Sequence, residues 1–166
     1  MIQETGFPFH NLTKIEMRTI FDQSTRDELI KRINTLTETS QAQWGKMNAY
    51  QMLRHCSLWE EMILRNKKYH RAFVGLFLGK MFLRNELKDD SPMRRNNPTI
   101  PALRIKETKG NMDSEKRKWV SLINEYADYS YPDNSFVHPF FGKMTKEQIG
   151  YHAYKHTDHH LRQFDC

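Results

Sequence analysis

Cysteine is scarce in this chain, and long apolar runs and targeting signals are missing. The 166 residues include two cysteines, Cys56 and Cys166, which lie far apart in sequence. A disulfide-stabilised extracellular domain is therefore disfavoured, and a reducing cytoplasm is the expected compartment. No apolar run approaches the roughly 18 residues that a membrane span requires. The opening residues also lack the basic start and apolar stretch of a secretory signal, so no membrane association is predicted.

Charged and aromatic side chains are abundant by contrast. Charged residues make up 28% of the chain and hydrophobic residues 38%, and there are 10 Phe, 7 Tyr and 3 Trp. This composition favours a globular protein with a compact, aromatic-rich interior over a disordered chain. The length fits a single domain, which we assign to residues 1–166.

The net charge of +6 resides in the middle of the chain. Residues 65–109 contain 12 Lys and Arg against 4 Asp and Glu, and the remainder is slightly acidic. Such a segment can bind nucleic acid or another acidic partner. No helix-turn-helix pattern, zinc-finger spacing or RNP-like aromatic motif accompanies it, so a solvated surface is favoured and nucleic acid is not the predicted partner.

Helical periodicity predicts four or five helices and no convincing strand. The first four predicted helices cover residues 24–37, about 48–64, about 72–83, and 113–126. A Ser/Thr cap starts the first, and Asp113 is the predicted cap of the fourth. The last helix begins at Thr145, which forms a capping box with Gln148. Because residues 72–83 contain two glycines, a strand remains an alternative prediction for this segment. Residues 88–103 contain three prolines, and 131–144 are rich in turn residues. We therefore predict an all-α fold, a four-helix bundle with an irregular middle excursion.

Four of the eight histidines lie in the last helix, in the stretch YHAYKHTDHHLRQF at 151–164. At about 100° per residue, His156 and His160 fall beside Ile149 on the apolar face, one turn apart. His152 and His159 fall on the polar flank, where solvated or outer positions are expected. The water-facing side is predicted to carry Lys155, Asp158 and Arg162.

Two inward imidazoles one turn apart can share a metal ion, which satisfies ring nitrogens that are costly to bury unpaired. His55 is the best third ligand. It lies at the shoulder of an apolar helix face formed by Met52, Cys56, Trp59, Met62 and Ile63. The other histidines, in loops or polar contexts, are not expected to be ligands: His10, His70 and His138.

Two segments resemble the DinB-like (DinB/YfiT) superfamily, namely WGKMNAYQMLRHC (44–56) and HPFFGKMTKEQIGYHAYKHTDHHLRQF (138–164). The resemblance is to a bacterial branch that ends in YKHxDHHLRQF. It implies a divalent metal inside a four-helix bundle, bound by His55, His156 and His160, with Gln163 at the trailing Gln of the motif, and often a homodimer. Residues 65–135 match no motif of the family, so the substrate pocket and its lid are not assigned.

A three-histidine ion keeps an open coordination position, which activates water or binds a thiol as thiolate. Imidazole suits Zn, Ni, Fe or Cu; Zn and Ni are favoured here, and Fe is the next candidate. Gln163, Tyr154 and His159 are the predicted outer residues that orient the ligands. The resemblance implies a thiol-dependent transferase in several members, with bacillithiol or mycothiol as a low-molecular-weight co-substrate, whereas other members have no established activity.

The sequence suggests no general base or nucleophile. Glu60 and Glu61 are expected to be surface carboxylates, and Cys56 is expected to act as a small hydrophobe on its apolar stripe. The predicted function is a metal-dependent transferase or hydrolase of an unidentified small molecule. The alternative is a non-catalytic binding protein that uses the basic segment 65–109 and retains a structural or vestigial metal.

Overall fold

The structure, a computed structural model, describes residues 17–130 and 135–166. Within these ranges it has five α-helices: α1 (Gln23–Thr35), α2 (Ala49–Leu64), α3 (Phe73–Glu86), α4 (Met112–Glu125) and α5 (Lys146–Gln163). Two-residue strands β1 (Val137–His138) and β2 (Gly142–Lys143) form an antiparallel hairpin. The chain is mainly helical with little strand, which confirms the predicted all-α class.

Helix starts show where local sequence was informative. The predicted capping box of α5 is present, with Thr145 and Gln148 each bonded to the other's backbone amide. An equivalent box at Asn48 and Gln51 starts α2. The predicted cap of α4 is wrong: Asn111, not Asp113, accepts the hydrogen bond from the Ser114 amide. The predicted Ser/Thr cap of α1 is also wrong, because Asp22 precedes its first residue.

Two further expectations change in the structure. Residues 73–86 form a helix and not a strand, and the helix ends three residues later than predicted. The turn-rich segment contains the β1–β2 hairpin, so a short strand pair was missed there; Tyr131–Asn134 lie outside the described residues. The 88–103 excursion is irregular as predicted, with one 3₁₀ turn at Pro101–Leu103.

Helices α1, α2, α4 and α5 surround the main core. α2 packs on α4 and on α5, and α1 packs on α4 and on α5. Fully buried side chains from these helices include Leu29, Ile33, Met52, Leu53, Trp119, Ile123, Ile149 and Leu161. Burial of such large apolar groups, each worth about 1.5–3 kcal/mol, holds the four helices together. This packing places the inward faces of α2 and α5 opposite each other.

In the part of the chain that the structure describes, no helix combines the length and apolar character needed to cross a membrane.

Candidate metal site

Three histidines meet between α2 and α5. His55 comes from α2, and His156 and His160 come from successive turns of α5. One ring nitrogen from each lies within 4.8 Å of those of the other two, and all three residues are buried. The structure thus brings together the three residues that the sequence predicted as ligands.

Hydrogen bonds orient two of these imidazoles. His55 Nδ1 lies 3.0 Å from the carbonyl oxygen of Leu103, and His160 Nδ1 lies 2.9 Å from Gln163 Oε1. Both oxygens are acceptors, so each Nδ1 carries the hydrogen and each Nε2 keeps its lone pair. Metal-binding histidines commonly have this outer support. Leu103 belongs to the 88–103 excursion, which therefore supplies a backbone acceptor to the site.

Gln163 is itself held in place by backbone. Its Nε2 donates to the Trp44 carbonyl at 2.7 Å, which directs Oε1 toward His160. Gly45 follows in the left-handed region, with φ of +82°, and a Cβ there would lie 2.7 Å from Gln163 Nε2. Glycine at position 45 therefore permits the close approach that fixes the Gln163 amide.

His156 is oriented by stacking. Its ring lies on Trp59 with a centroid distance of 4.2 Å and an interplanar angle of 16°. Its Nδ1 is buried and has no hydrogen-bond partner among the residues that the structure describes. An unpaired buried polar atom costs about 1–3 kcal/mol. A ligand in the site is one way to recover that cost.

Burial keeps the cluster neutral. Burial lowers the pKa of His55, and it lowers the pKa of His156 and of His160 well below the ordinary value, with the neighbouring imidazoles adding to the effect. Neutral imidazole is the form that binds a metal ion. The donor set and its protonation state therefore fit a divalent transition metal.

The three residues predicted to orient the ligands make different contacts in the structure. Gln163 contacts His160 as described above, and the His159 ring lies 5.1 Å from the His160 ring and 5.7 Å from Trp44. Tyr154 instead receives a hydrogen bond at its hydroxyl from Arg18, whose guanidinium also lies over its ring.

The predicted water-facing side of α5 is largely covered, which corrects the helix-wheel assignment. Lys155 is buried, and its ammonium donates to the carbonyls of Glu86 and Asp89 at 2.5 and 2.8 Å. Asp158 is also buried and accepts from Arg32 and Arg162. Helix α1 and the C-terminal end of α3 lie over this side of α5. Of the three predicted residues, only Arg162 is exposed.

His152 was expected to be solvated or to take an outer position, but it is buried. Its Nδ1 is bonded to Glu86 Oε1, and its ring lies 6.4 Å from that of His156 and 5.2 Å from Trp59. Although burial acts to raise it, the contact with His152 holds the pKa of the Glu86 carboxyl below its usual value. The sequence missed this pair because α3 was predicted to end at residue 83, before Glu86.

Glu60 was expected on the surface and is instead fully buried. It accepts hydrogen bonds from the hydroxyls of Tyr126 at 2.6 Å and Thr157 at 3.2 Å. Burial raises its pKa to about 7, partly opposed by those bonds. Its neighbour Glu61 is partly exposed and paired with Lys67 and Lys118.

The remaining candidates lie apart from the cluster. Cys56 is fully buried, and burial raises the pKa of its thiol well above the usual value. The thiol therefore stays neutral, consistent with a small hydrophobic residue. His138 is buried in the hairpin, where its Nδ1 accepts hydrogen bonds from the backbone amides of Phe140 and Phe141. His70 is exposed. His10 lies outside the described residues.

A cavity of about 700 Å³ opens next to the cluster. Its wall includes Trp44, His159 and Arg95, whose guanidinium stacks on the Trp44 ring at 4.2 Å. The three clustered histidines do not line it. His159 and Trp44 are the residues that connect it to them, through the His160 ring and through Gln163.

Replacing Gln163 with Met should weaken metal binding about 10- to 100-fold without unfolding the protein, because His160 loses the acceptor that fixes its tautomer. Competition titration of Zn²⁺ against a chromophoric chelator measures this change. Gln41→Met, at an exposed loop position, is the matched control and should bind like wild type. Equal affinities for both variants would contradict an orienting role for Gln163.

Comparison with known proteins identifies a family and no characterised relative. No curated protein and no solved structure matched the chain. Residues 16–165, nearly the whole sequence, match the family described as "Protein of unknown function (DUF1569)". The match spans α1 to α5 and all three clustered histidines. The chain therefore belongs to the DUF1569 family.

Proposed function

We propose that this protein is a metal-dependent enzyme whose divalent ion is held by His55, His156 and His160. The observation that carries the proposal is the geometry of the cluster: three buried, neutral imidazoles whose ring nitrogens approach within 4.8 Å. His156 Nδ1 is unpaired within the described residues, a cost that an ion bound through this nitrogen would remove. The donor set suits Zn²⁺ or Ni²⁺, with Fe²⁺ next.

We further propose that α1, α2, α4 and α5 form a four-helix bundle of the DinB/YfiT type. Mutual packing of these four helices supports this, as does the placement of the ligands on facing helices of the core. Metal sites in helical bundles are commonly built this way, from inward side chains of neighbouring helices. The relationship to that superfamily rests on the two motif segments, at residues 44–56 and 138–164.

Such an ion would supply a Lewis acid with an open position, able to lower the pKa of a bound water or thiol. The chain's own residues would do the rest. Trp59 fixes His156 by stacking, and the Leu103 carbonyl orients His55. His152, one turn before His156 and bonded to Glu86 through Nδ1, is the residue placed to hold a proton at Nε2.

The reaction class follows from these parts. A buried ion beside a base supports transfer or hydrolysis on a small molecule, and the cavity at Trp44 and Arg95 offers a space that could admit one. Arg95 presents a cation there, which favours a substrate with an anionic group. Use of a low-molecular-weight thiol as co-substrate rests on the resemblance to thiol-dependent transferases.

Cobalt substitution tests for an open, reactive site. We expect protein loaded with Co²⁺ to show visible absorption bands that shift when a small thiol such as cysteine is added, with a new thiolate-to-metal band. A Cys166→Ser background keeps the chain's own partly exposed thiol from contributing. Loaded protein whose spectrum responds to neither thiols nor azide would have a closed, structural site, and the enzyme proposal would fail.

The alternative, a binding protein acting through the basic segment 65–109, has less support. Several of its cations are engaged within the chain: Arg65 with Glu125, Lys67 with Glu61, and Arg71 with the Pro139 carbonyl. A nucleic-acid-binding role requires free cations and an affinity that falls steeply with salt. A gel-shift titration at two salt concentrations distinguishes the two functions.

A further inference from the structure

Seven large apolar side chains of α3 are exposed, and together they form what we call the outward face of this helix. Phe73, Phe77 and Met81 are 75%, 73% and 58% exposed. The other four are Val74, Leu76, Leu78 and Phe82. At about 100° per residue, the seven lie around roughly two thirds of the helix circumference. An exposed apolar patch of this extent marks a site of interaction with a protein or a membrane.

The remaining third of α3 faces the protein and holds the apolar side chains outward. Gly75 and Gly79 lie against the backbone of Phe140 in the hairpin, where a Cβ at either position would clash with the Phe140 carbonyl. Leu83, one turn later on the same side, is buried. Because only glycine fits at this contact, α3 cannot rotate to bury its phenylalanines. The outward orientation is therefore a built feature of the fold.

Cations continue the outward face toward the end of the helix. Phe73, Phe77, Lys80 and Arg84 fall within about 60° of one another, with the aromatic residues in the first turns and the cations in the later ones. Lys88 follows the helix and lines a recess of about 460 Å³ together with Lys80 and Arg84. No carboxylate of the described residues lines this recess. A recess lined by charges of one sign concentrates ions of the opposite sign, so this one favours an anion.

Two of these three cations are free to bind a ligand. Arg84 and Lys88 are exposed, and neither has a hydrogen-bond or ion-pair partner among the residues that the structure describes. Lys80 donates to a backbone carbonyl of the hairpin. Glu86 and Asp89, the carboxylates closest to them in sequence, form hydrogen bonds with other residues. Arg84 and Lys88 therefore present uncompensated positive charge beside the apolar turns.

We propose that the outward face of α3 binds the surface of a membrane that contains anionic phospholipids. The helix then lies in the plane of the headgroups, with Phe73 and Phe77 at the acyl boundary and with Arg84 and Lys88 at the lipid phosphates. Helices that bind membrane surfaces combine these two features, aromatic and apolar residues on one side and cations that reach anionic headgroups. Residues 65–88 contain 7 Lys and Arg against one acid, so the charge of this region complements an anionic surface.

The spread of the apolar side chains favours lipid over a folded protein partner. A protein presents one surface to the helix and would leave part of the outward face in water. A helix on a membrane enters the headgroup and acyl boundary by about 5–10 Å, close to its own diameter of about 10 Å. Lipid therefore covers the flanks of the helix as well as its outermost side. The prediction of no membrane association rests on the absence of a spanning run, which a helix that lies on the surface does not need.

Vesicle flotation of the full chain tests the proposal. Wild type should float with phosphatidylcholine vesicles that contain about one third phosphatidylglycerol, and should bind pure phosphatidylcholine about 10-fold more weakly. Binding to the anionic vesicles should weaken as salt is added, because salt screens the attraction between the cations and the headgroups.

Two α3 variants separate the apolar and the cationic contributions. Phe73→Ser/Phe77→Ser should bind anionic vesicles at least ~100-fold more weakly, because both phenyl groups leave the acyl boundary. Arg84→Gln/Lys88→Gln should bind about 30-fold more weakly. The matched control is Lys31→Gln/Arg117→Gln, which removes the same charge from exposed positions on α1 and α4 and should bind like wild type.

Circular dichroism should show that both α3 variants keep the helix content of wild type, which separates lost binding from lost folding. Wild type that floats with neither kind of vesicle, or equally with both, would overturn the proposal. So would binding that survives in both α3 variants, or an equal loss in the control, which would attribute binding to net charge alone. Sedimentation equilibrium covers the other occupant: self-association that Phe73→Ser/Phe77→Ser abolishes, without vesicle binding, would assign the face to a second copy of the chain instead.

Discussion

Replacing His156 and His160 together with alanine should reduce bound metal from about one ion per chain to almost none. Each substitution removes one of three ligands on which the site depends, and His55 alone cannot hold a transition metal against solvent. The apo protein should remain folded, because the core around the site contains many fully buried apolar side chains. The expected loss in affinity is at least 1,000-fold, the largest single effect that the structure implies.

Elemental analysis by mass spectrometry after loading with Zn²⁺ or Ni²⁺ and desalting gives the metal content directly. His70→Ala is the matched control, since this histidine is exposed and lies outside the ligand cluster. It should retain close to one ion per chain. Equal metal content in wild type and the double variant, or loss in the control alone, would show that the cluster is not the site.

The ligand candidates could be predicted from sequence because each one depends on a single helix. His156 and His160 share a face by the α-helical period alone, and His55 follows from the apolar pattern of its own helix. The capping box at Thr145 and Gln148 fixes the start of α5 equally locally. Periodicity could not predict that α2 and α5 pack with these faces opposed. That arrangement depends on the fold, and only the resemblance implied it.

The errors came from contacts between elements. Lys155, Asp158 and His152 occupy a flank of α5 that looks polar and solvated on a helix wheel. In the structure, α1 and the end of α3 cover that flank and pair each of them with an opposite charge or a carbonyl. A polar residue that a helix wheel places at the surface can therefore be buried, with a hydrogen-bond partner that lies far away in sequence.

The outward face of α3 was missed for the converse reason. The sequence predicted a helix for residues 72–83, with a strand left open, and assigned no face; in the structure Phe73 and Phe77 are exposed, and Gly75 and Gly79 form the face that contacts the protein. Sequence periodicity identifies which residues share a face. It does not identify which face is buried when small residues, and not large ones, make the contact.

Glu60→Gln should make the protein more stable above pH 7 while leaving it unchanged near pH 4. Burial raises the pKa of Glu60 to about 7, against 4.5 as the ordinary value. The unfolded chain therefore loses this proton at lower pH than the folded protein does. The stability contributed by the protonated carboxyl is fully present below about pH 4.5 and is lost as pH rises to about 7. The difference amounts to about 3 kcal/mol.

Gln is the suitable replacement because its neutral amide matches the protonated acid in shape. It can still accept from Tyr126 and can donate to the Thr157 hydroxyl. Urea unfolding of both proteins from pH 4 to 8, with a chelator present, gives the free energy of unfolding at each pH. Taking the difference between wild type and variant removes the contribution of the histidines, which are common to both.

Glu61→Gln is the matched control with the opposite sign. Although burial acts to raise it, the ammonium groups of Lys118 and Lys67 hold the pKa of Glu61 below its usual range. Its contribution is therefore present above the ordinary pKa and is lost as pH falls. This variant should be less stable than wild type at pH 7 and approach it under acid conditions. A Glu60→Gln difference that stays constant with pH would mean that Glu60 remains ionised in the core, and that Tyr126 and Thr157 stabilise a buried charge.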